Sequence, residues 1–249
     1  MQKHFSSCWR AATLWLAAML ALPGAAQPNP ARGAVKLPPP VQLEYSVRAR
    51  QSGIMLSGRS RLLWQADQTQ YLISAETSAM LVGKILDERS EGSVDRNGLL
   101  PLAYTEKRFR KDATTTRFER DAGLIRFGDS QATQKIQGGE QDRASALWQM
   151  IAILRAEKRA IKPGMSWTFT VAGQRDADPW TFKVQGRERL QTALGEIDTV
   201  HLVRLPPEDA RHRRVDIWLA PAQEWYPVHT RFEDSDEFVE QFIEGIKRQ

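Results

Sequence analysis

The sequence predicts a mainly β protein, an antiparallel curved sheet or open β-barrel-like meander with one amphipathic helix, about residues 142–159, packed against it. Apolar and polar residues alternate with a period of two in several separate segments, the mark of strands with one buried and one wet face. Turn residues recur between those segments at hairpin spacing. A single segment near Asp142 has helical periodicity instead.

The chain of 249 residues opens with Lys3 and Arg10 ahead of an apolar run, Ala11 to Leu22, which Pro23-Gly24 breaks. Gly24-Ala25-Ala26 then supplies small residues, so residues 1–26 read as a secretory signal peptide cleaved after Ala26. The apolar run is shorter than the roughly 20 residues a membrane-crossing helix needs, so no transmembrane span is expected after cleavage. The expected location is the periplasm. Cys8, the only cysteine, lies within this segment and ahead of its apolar run, the wrong place for lipid attachment. The mature chain therefore has no thiol for a disulfide or a thiolate metal site.

Residues 27–40 hold Pro28, Pro30, Pro38, Pro39 and Pro40 and read as an extended linker. Residues 41–249 are long enough for a sizeable core and read as one β-rich domain. Its first strand is the clearest. Val41, Leu43, Tyr45, Val47 and Ala49 alternate with Gln42, Glu44, Ser46, Arg48 and Arg50. This pattern suits an antiparallel sheet, since a parallel sheet covered on both faces shows continuous apolar runs. Alternation returns at Tyr71, Ile73 and Ala75, at Met165 to Val171 and at Trp180, Phe182 and Val184. Further strands are expected at Thr199 to Leu205, Val215 to Leu219 and Tyr226 to Phe232. Gln51-Ser52-Gly53, Asp95-Arg96-Asn97-Gly98, Asp121-Ala122-Gly123 and Asp176-Ala177-Asp178-Pro179 supply turns.

In the exceptional segment, Ala144, Leu147, Trp148, Ile151 and Leu154 fall on one helical stripe. Asp142 suits its start, Lys158 and Arg159 its last turn, and Pro163-Gly164 its end. The stripe needs a cover, and the concave face of the sheet supplies one. Phe238, Val239, Phe242 and Ile243 fit a helix, and Phe238, Glu240 and Phe242 fit a strand; a last strand is preferred.

No constellation of residues rises to a catalytic or metal site, and no cofactor is expected. His201, His212 and His229 lack the spacing of a zinc motif, and neither a nucleophile elbow nor a phosphate-binding glycine loop occurs. The formal charge is +5, and loss of Lys3 and Arg10 lowers it by two. So small a surplus, interleaved with acids, argues against nucleic acid as a partner. Its densest basic cluster, Arg211, His212, Arg213 and Arg214, reads first as a solvated loop and second as an anion or headgroup contact. Trp167 and Trp180 keep step with buried positions. Trp218 and Trp225 do not, and with Arg211, Arg213 and Arg214 they are the candidate ligand-binding residues.

Glu91 to Pro101, Asp142-Arg143-Ala144-Ser145, Gly195 to Val200, and Ile217 to Pro221 with Tyr226-Pro227-Val228 together resemble the bacterial domain of unknown function 3108 family over about residues 41–245. The resemblance implies an exported β-rich protein of Gram-negative bacteria and brings no catalytic residues. Three functions stay open. The first is non-enzymatic binding of a hydrophobic or lipid-like envelope component in a groove. The second is an interaction module for envelope proteins or polysaccharide, without an internal cavity. The third is a hydrolase, which requires His201 or His229 to converge with Asp198 or Asp216.

Overall fold

The computed structural model describes residues 35–80, 82–205 and 213–249. The signal peptide, most of the proline linker, Arg211 and His212 lie outside them. Among the described residues the chain is one sheet of 15 strands with one α-helix. In chain order the strands are β1 (Val41–Gln51), β2 (Ile54–Ala66), β3 (Gln70–Ala79), β4 (Gly83–Asp95), β5 (Gly98–Arg108), β6 (Thr114–Glu119), β7 (Leu124–Arg126), β8 (Thr133–Lys135) and β9 (Gln141–Asp142). After helix α1 (Ser145–Ala156) come β10 (Ser166–Ala172), β11 (Ala177–Thr192), β12 (Gly195–Arg204), β13 (Arg213–Ala220), β14 (Tyr226–Asp234) and β15 (Glu237–Arg248).

Strands β1 to β8 form one meander and β10 to β15 a second, and antiparallel pairing of β1 with β15 joins them. Only β9, parallel to β10, departs from the antiparallel rule among the described pairs. The sheet curls until its two ends approach without sharing a ladder. At this seam Asp129 N–H donates to the Gln174 carbonyl (2.8 Å) and the Thr116 hydroxyl to the Gly173 carbonyl (2.8 Å). The C-terminal segment is a strand, as its two-residue alternation suggested.

The helix lies within the curl. Nine of its twelve residues are buried, including the polar Ser145 and Gln149, so it is enclosed nearly all round and not merely laid on the sheet by one stripe. Burying Gln149 is possible because its amide accepts from Leu99 N–H (2.8 Å) and donates to the Asn97 carbonyl (2.8 Å). The Asp142 carboxylate accepts the N–H groups of Ala144 and Ser145, satisfying donors that open a helix. Trp148 stacks on Trp64 with centroids 4.4 Å apart and planes 6° from parallel, and Tyr226 flanks it at 6.4 Å.

Residues 35–40, the end of the expected linker, are bound to this core. Lys36 N–H donates to the Ala152 carbonyl, and the Pro38 and Pro39 carbonyls accept from the Trp64 indole and the Tyr226 hydroxyl. Proline has no donor but keeps its carbonyl, and here it meets two polar tips that a buried Trp and Tyr must place somewhere.

Gly92 sits at a bulge between β4 and β5. A Cβ there would lie 2.2 Å from the Leu100 carbonyl oxygen and 2.9 Å from Pro101 Cα, both backbone atoms. Gly92→Ala is therefore expected to lower stability by about 1–3 kcal/mol, the usual range for overpacking. A urea midpoint equal to the parent's would show that β4 and β5 separate freely at that point.

Candidate functional site

The helix and residues 35–40 fill one half of the curled sheet, leaving the other half to the strands' inner faces. At that open end a continuous row of side chains crosses six strands by register: Arg204, Val215, Phe232, Val239, Ala49 and Leu56. Alternation decides their direction. Val215 lies two residues from buried Ile217, and Phe232 and Val239 alternate with Arg231, Glu233 and Glu240 of the outer face. Yet Phe232 and Val239 are 38% and 41% exposed, whereas Leu202, Ile217 and Val47, one step deeper, are 0, 4 and 5% exposed. The inner face is thus apolar along this row and accessible from the opening.

Antiparallel connection brings the β1–β2 and β3–β4 turns to the same end of the sheet. They carry exposed Ile54, Met55, Met80 and Val82, extending the apolar surface to the rim. Arg204 closes the row at β12, its guanidinium 4.4 Å from the Trp180 ring centroid. Burial, and then the charges of Arg143 and Arg213, lower its pKa, although a guanidinium stays protonated.

Trp218 faces outward, within a stacked ladder on the opposite face. His201, Trp218, His229 and Phe242 lie ring on ring at 4.4, 4.2 and 4.3 Å across β12 to β15. The Trp218 indole donates to Glu188 (2.8 Å). His201 and Asp216 do converge, with Nε2 2.6 Å from Oδ1, and Glu188 takes the other ring nitrogen at 2.7 Å. Burial opposes charge on His201, but the Asp216 hydrogen bond and the Glu188 charge outweigh it and raise its pKa. Asp216, despite burial, is held at about 2 by His201 and by the Arg214 fork at 2.5 and 2.7 Å. Carboxylates at both ring nitrogens favour the doubly protonated ring, in which His201 has no lone pair for a proton or a metal. His229 bonds Glu240 (3.0 Å), but burial outweighs that partner and lowers its pKa.

Of the residues singled out from sequence, Trp218 and Arg214 share this outer ladder, and Arg213 pairs with Asp234 (3.1 Å) at the open end. Trp225 is elsewhere, half-buried against the core at the opposite end of β14, in a turn where Glu224 and Trp225 take φ of 58° and 65°. The two tryptophans therefore do not meet. Sequence reasoning passed over Phe232, Val239, Leu56 and Arg204, because membership of the row depends on the register of non-adjacent segments. The alternation that carries Val215, Ile217 and Leu219 inward was the available signal for Val215 alone. Among the described residues no group of three or more His, Cys, Asp or Glu is placed to hold a metal, and no helix is long and apolar enough to cross a membrane.

A family model described as "Protein of unknown function (DUF3108)" matches residues 44–240. The chain belongs to the DUF3108 family. No curated protein matches it. Among solved structures, this DUF3108 chain is similar to a β-barrel-like protein of domain of unknown function DUF1849 from Brucella abortus, at TM-score 0.58 and 12% identity, covering 87% of this chain and all of that one (100%). That likeness concerns the fold. Weaker matches are a DUF1329 family protein from Desulfovibrio piger (TM-score 0.27, 8% identity, 85% and 86% covered) and a putative outer membrane lipoprotein-sorting protein domain from Vibrio parahaemolyticus (0.24, 8%, 85% and 86%). The DUF3108 match ends at residue 240, within β15, and takes in every residue of the open row, from Ala49 to Val239.

Proposed function

We propose that this protein is a periplasmic, non-enzymatic binder of a hydrophobic or lipid-like component of the cell envelope, received at the open end of the curled sheet. The observation that carries the reading is the row Val215, Phe232, Val239, Ala49 and Leu56, inward-facing and apolar yet open to solvent. Covering it would remove apolar surface from water at about 25 cal/mol per Å². The signal-like residues 1–26 supply the route to the periplasm.

Native mass spectrometry of protein purified from periplasm, followed by organic extraction, tests both parts. A mass beginning after Ala26 and a stoichiometric apolar molecule are expected. Val239→Asp should lose that molecule and bind a fluorescent fatty-acid probe at least about tenfold more weakly, because a carboxylate would be buried beneath the ligand. Equal probe binding by parent and variant would remove the open row from the site. A second reading, docking of an envelope protein, is favoured by exposed Ile54, Met55, Met80 and Val82 at neighbouring turns. Crosslinking from position 55 in cells that retains a partner after Val239→Asp would favour that second reading.

A further inference from the structure

Where the curled sheet's ends meet, the segment between β5 and β6 and the turn between β10 and β11 enclose a cavity of about 280 Å³. Glu106 and Gln174 lie at its inner part, with Arg143, Lys111, Asp112 and Asp176 at the exposed rim. Four of the eight charged lining residues are already matched in close pairs. Arg108 holds Glu106 at 2.5 Å, the Tyr104 hydroxyl reaches the same carboxylate at 2.9 Å, and Arg175 holds Asp129 at 2.7 Å.

Two donors of the lining are not matched, Arg143 at the rim and Gln174 deeper in. Among the described residues Arg143 has one ion pair, a long 3.9 Å contact with Glu106. Gln174 is 8% exposed, and its amide nitrogen is buried with no hydrogen-bond partner. Burying an amide donor unpaired costs about 1–3 kcal/mol, and rotation of the Gln174 side chain, which lines the cavity, would turn that donor to an acceptor held there. Gly173 makes room for the arrangement, since a Cβ there would sit 2.7 Å from Arg143 Nη2 and 3.0 Å from Cζ. The inner acid, Glu106, is saturated by its own partners, so what the inner end lacks is an acceptor and not a further cation.

We infer that this cavity binds an oxyanion, a phosphate or carboxylate group, gripped by the Arg143 guanidinium and the Gln174 amide. The site stands on different residues from the open apolar row and does not depend on it. Guanidinium and amide donors together match the geometry of such groups, and a bond to a charged acceptor is worth about twice a neutral one. The exposed Asp112 and Asp176 border the approach and limit access to groups that tolerate them.

Calorimetric titration of the mature chain with inorganic phosphate, at fixed ionic strength, tests the site. Saturable one-to-one binding is expected, weakened at least about tenfold by Arg143→Gln and several-fold by Gln174→Leu, with thermal melts confirming that each variant folds. Absence of binding to the parent, or equal binding by a folded Arg143→Gln, overturns the inference. If Arg143→Gln does not fold, the Gln174 side-chain amide resonances decide: a saturable shift on adding phosphate upholds the site, and a static signal overturns it. Dihexanoyl phosphatidic acid, as the second probe, separates the sources. Affinity equal to that of phosphate identifies a free anion. Tighter binding that Val239→Asp abolishes identifies the headgroup of an amphiphile lying along the open row. Because phosphate alone never touches that row, a failed lipid reading and a failed anion site give different results.

Discussion

Trp148→Ala is expected to cost about 3–5 kcal/mol, the range for removing a fully buried aromatic side chain from a core. Trp148 is 1% exposed, and its ring lies against Trp64 while Tyr226 approaches from the side. Around it the sheet is fixed by its own ladders and cannot collapse into the space the indole leaves. A domain of this kind is stable by about 5–15 kcal/mol in all, so the variant should lose at least about a fifth of its margin. Urea unfolding followed by far-ultraviolet circular dichroism measures this, and Trp148→Phe should recover much of the loss. A loss below about 1 kcal/mol would show that the helix is a passenger within the curl and not its organiser.

The second large effect is on pH dependence. Asp142 is fully buried; burial raises its carboxyl to about 6 even though it accepts from Ser90 Oγ at 2.6 Å and from two backbone N–H groups. In the unfolded chain the same group titrates near 3.8. Between these values the native state holds a proton that the unfolded state has released. The contribution is therefore fully present below pH 3.8, falls as pH rises, and is gone above about 6. Its size is about 2–3 kcal/mol at 1.4 kcal/mol per pH unit. Glu88, raised mainly by burial, acts in the same direction. Asp216, depressed to about 2, stabilises above its unfolded value, with its change confined below pH 3.8. His201, raised, contributes below 6.5 and loses that contribution as pH rises through its folded pKa. Urea midpoints of the parent should thus decline between pH 4 and 6, and Asp142→Asn should flatten that decline. A slope unchanged in the variant would assign the proton to Glu88.

How legible the fold was depended on what each strand turns inward. β1 buries Val41, Leu43, Tyr45 and Val47, and its alternation is plain in the sequence. β4 and β5 face inward with Glu88, Ser90, Tyr104 and Glu106, so no apolar rhythm announces them. These side chains are satisfied by each other: the Tyr104 hydroxyl lies 2.6 Å from Glu88 and 2.9 Å from Glu106. One phenolic proton serves one of those contacts, and burial raises the Glu88 pKa, which favours a proton for the other. β2 was hidden likewise, because Gly58 and Ser60 occupy inward positions. The helix was legible from its stripe, but its enclosure was not, since Gln149 looks like a wet residue until Asn97 and Leu99 are brought beside it. Trp218 was legible as facing away from the core. Its partners were not, because His201, His229 and Phe242 come from three other strands that share no local pattern with it.

The pairing of β1 with β15, Val41 opposite Arg248, has a bearing on how the chain assembles. Each meander zips from contacts between neighbours in sequence, and such contacts form early because the loops they close are short. The joint between the meanders must wait for β15, which follows the other described strands in chain order. Until then the growing protein carries two bare ladders in its middle, β1 and β14, each a template for a stray strand. A stop codon ahead of β15 would leave that condition permanent. It would change one joined sheet into two sticky ones and make aggregation, before any loss of ligand, the first phenotype of a truncation ahead of β15.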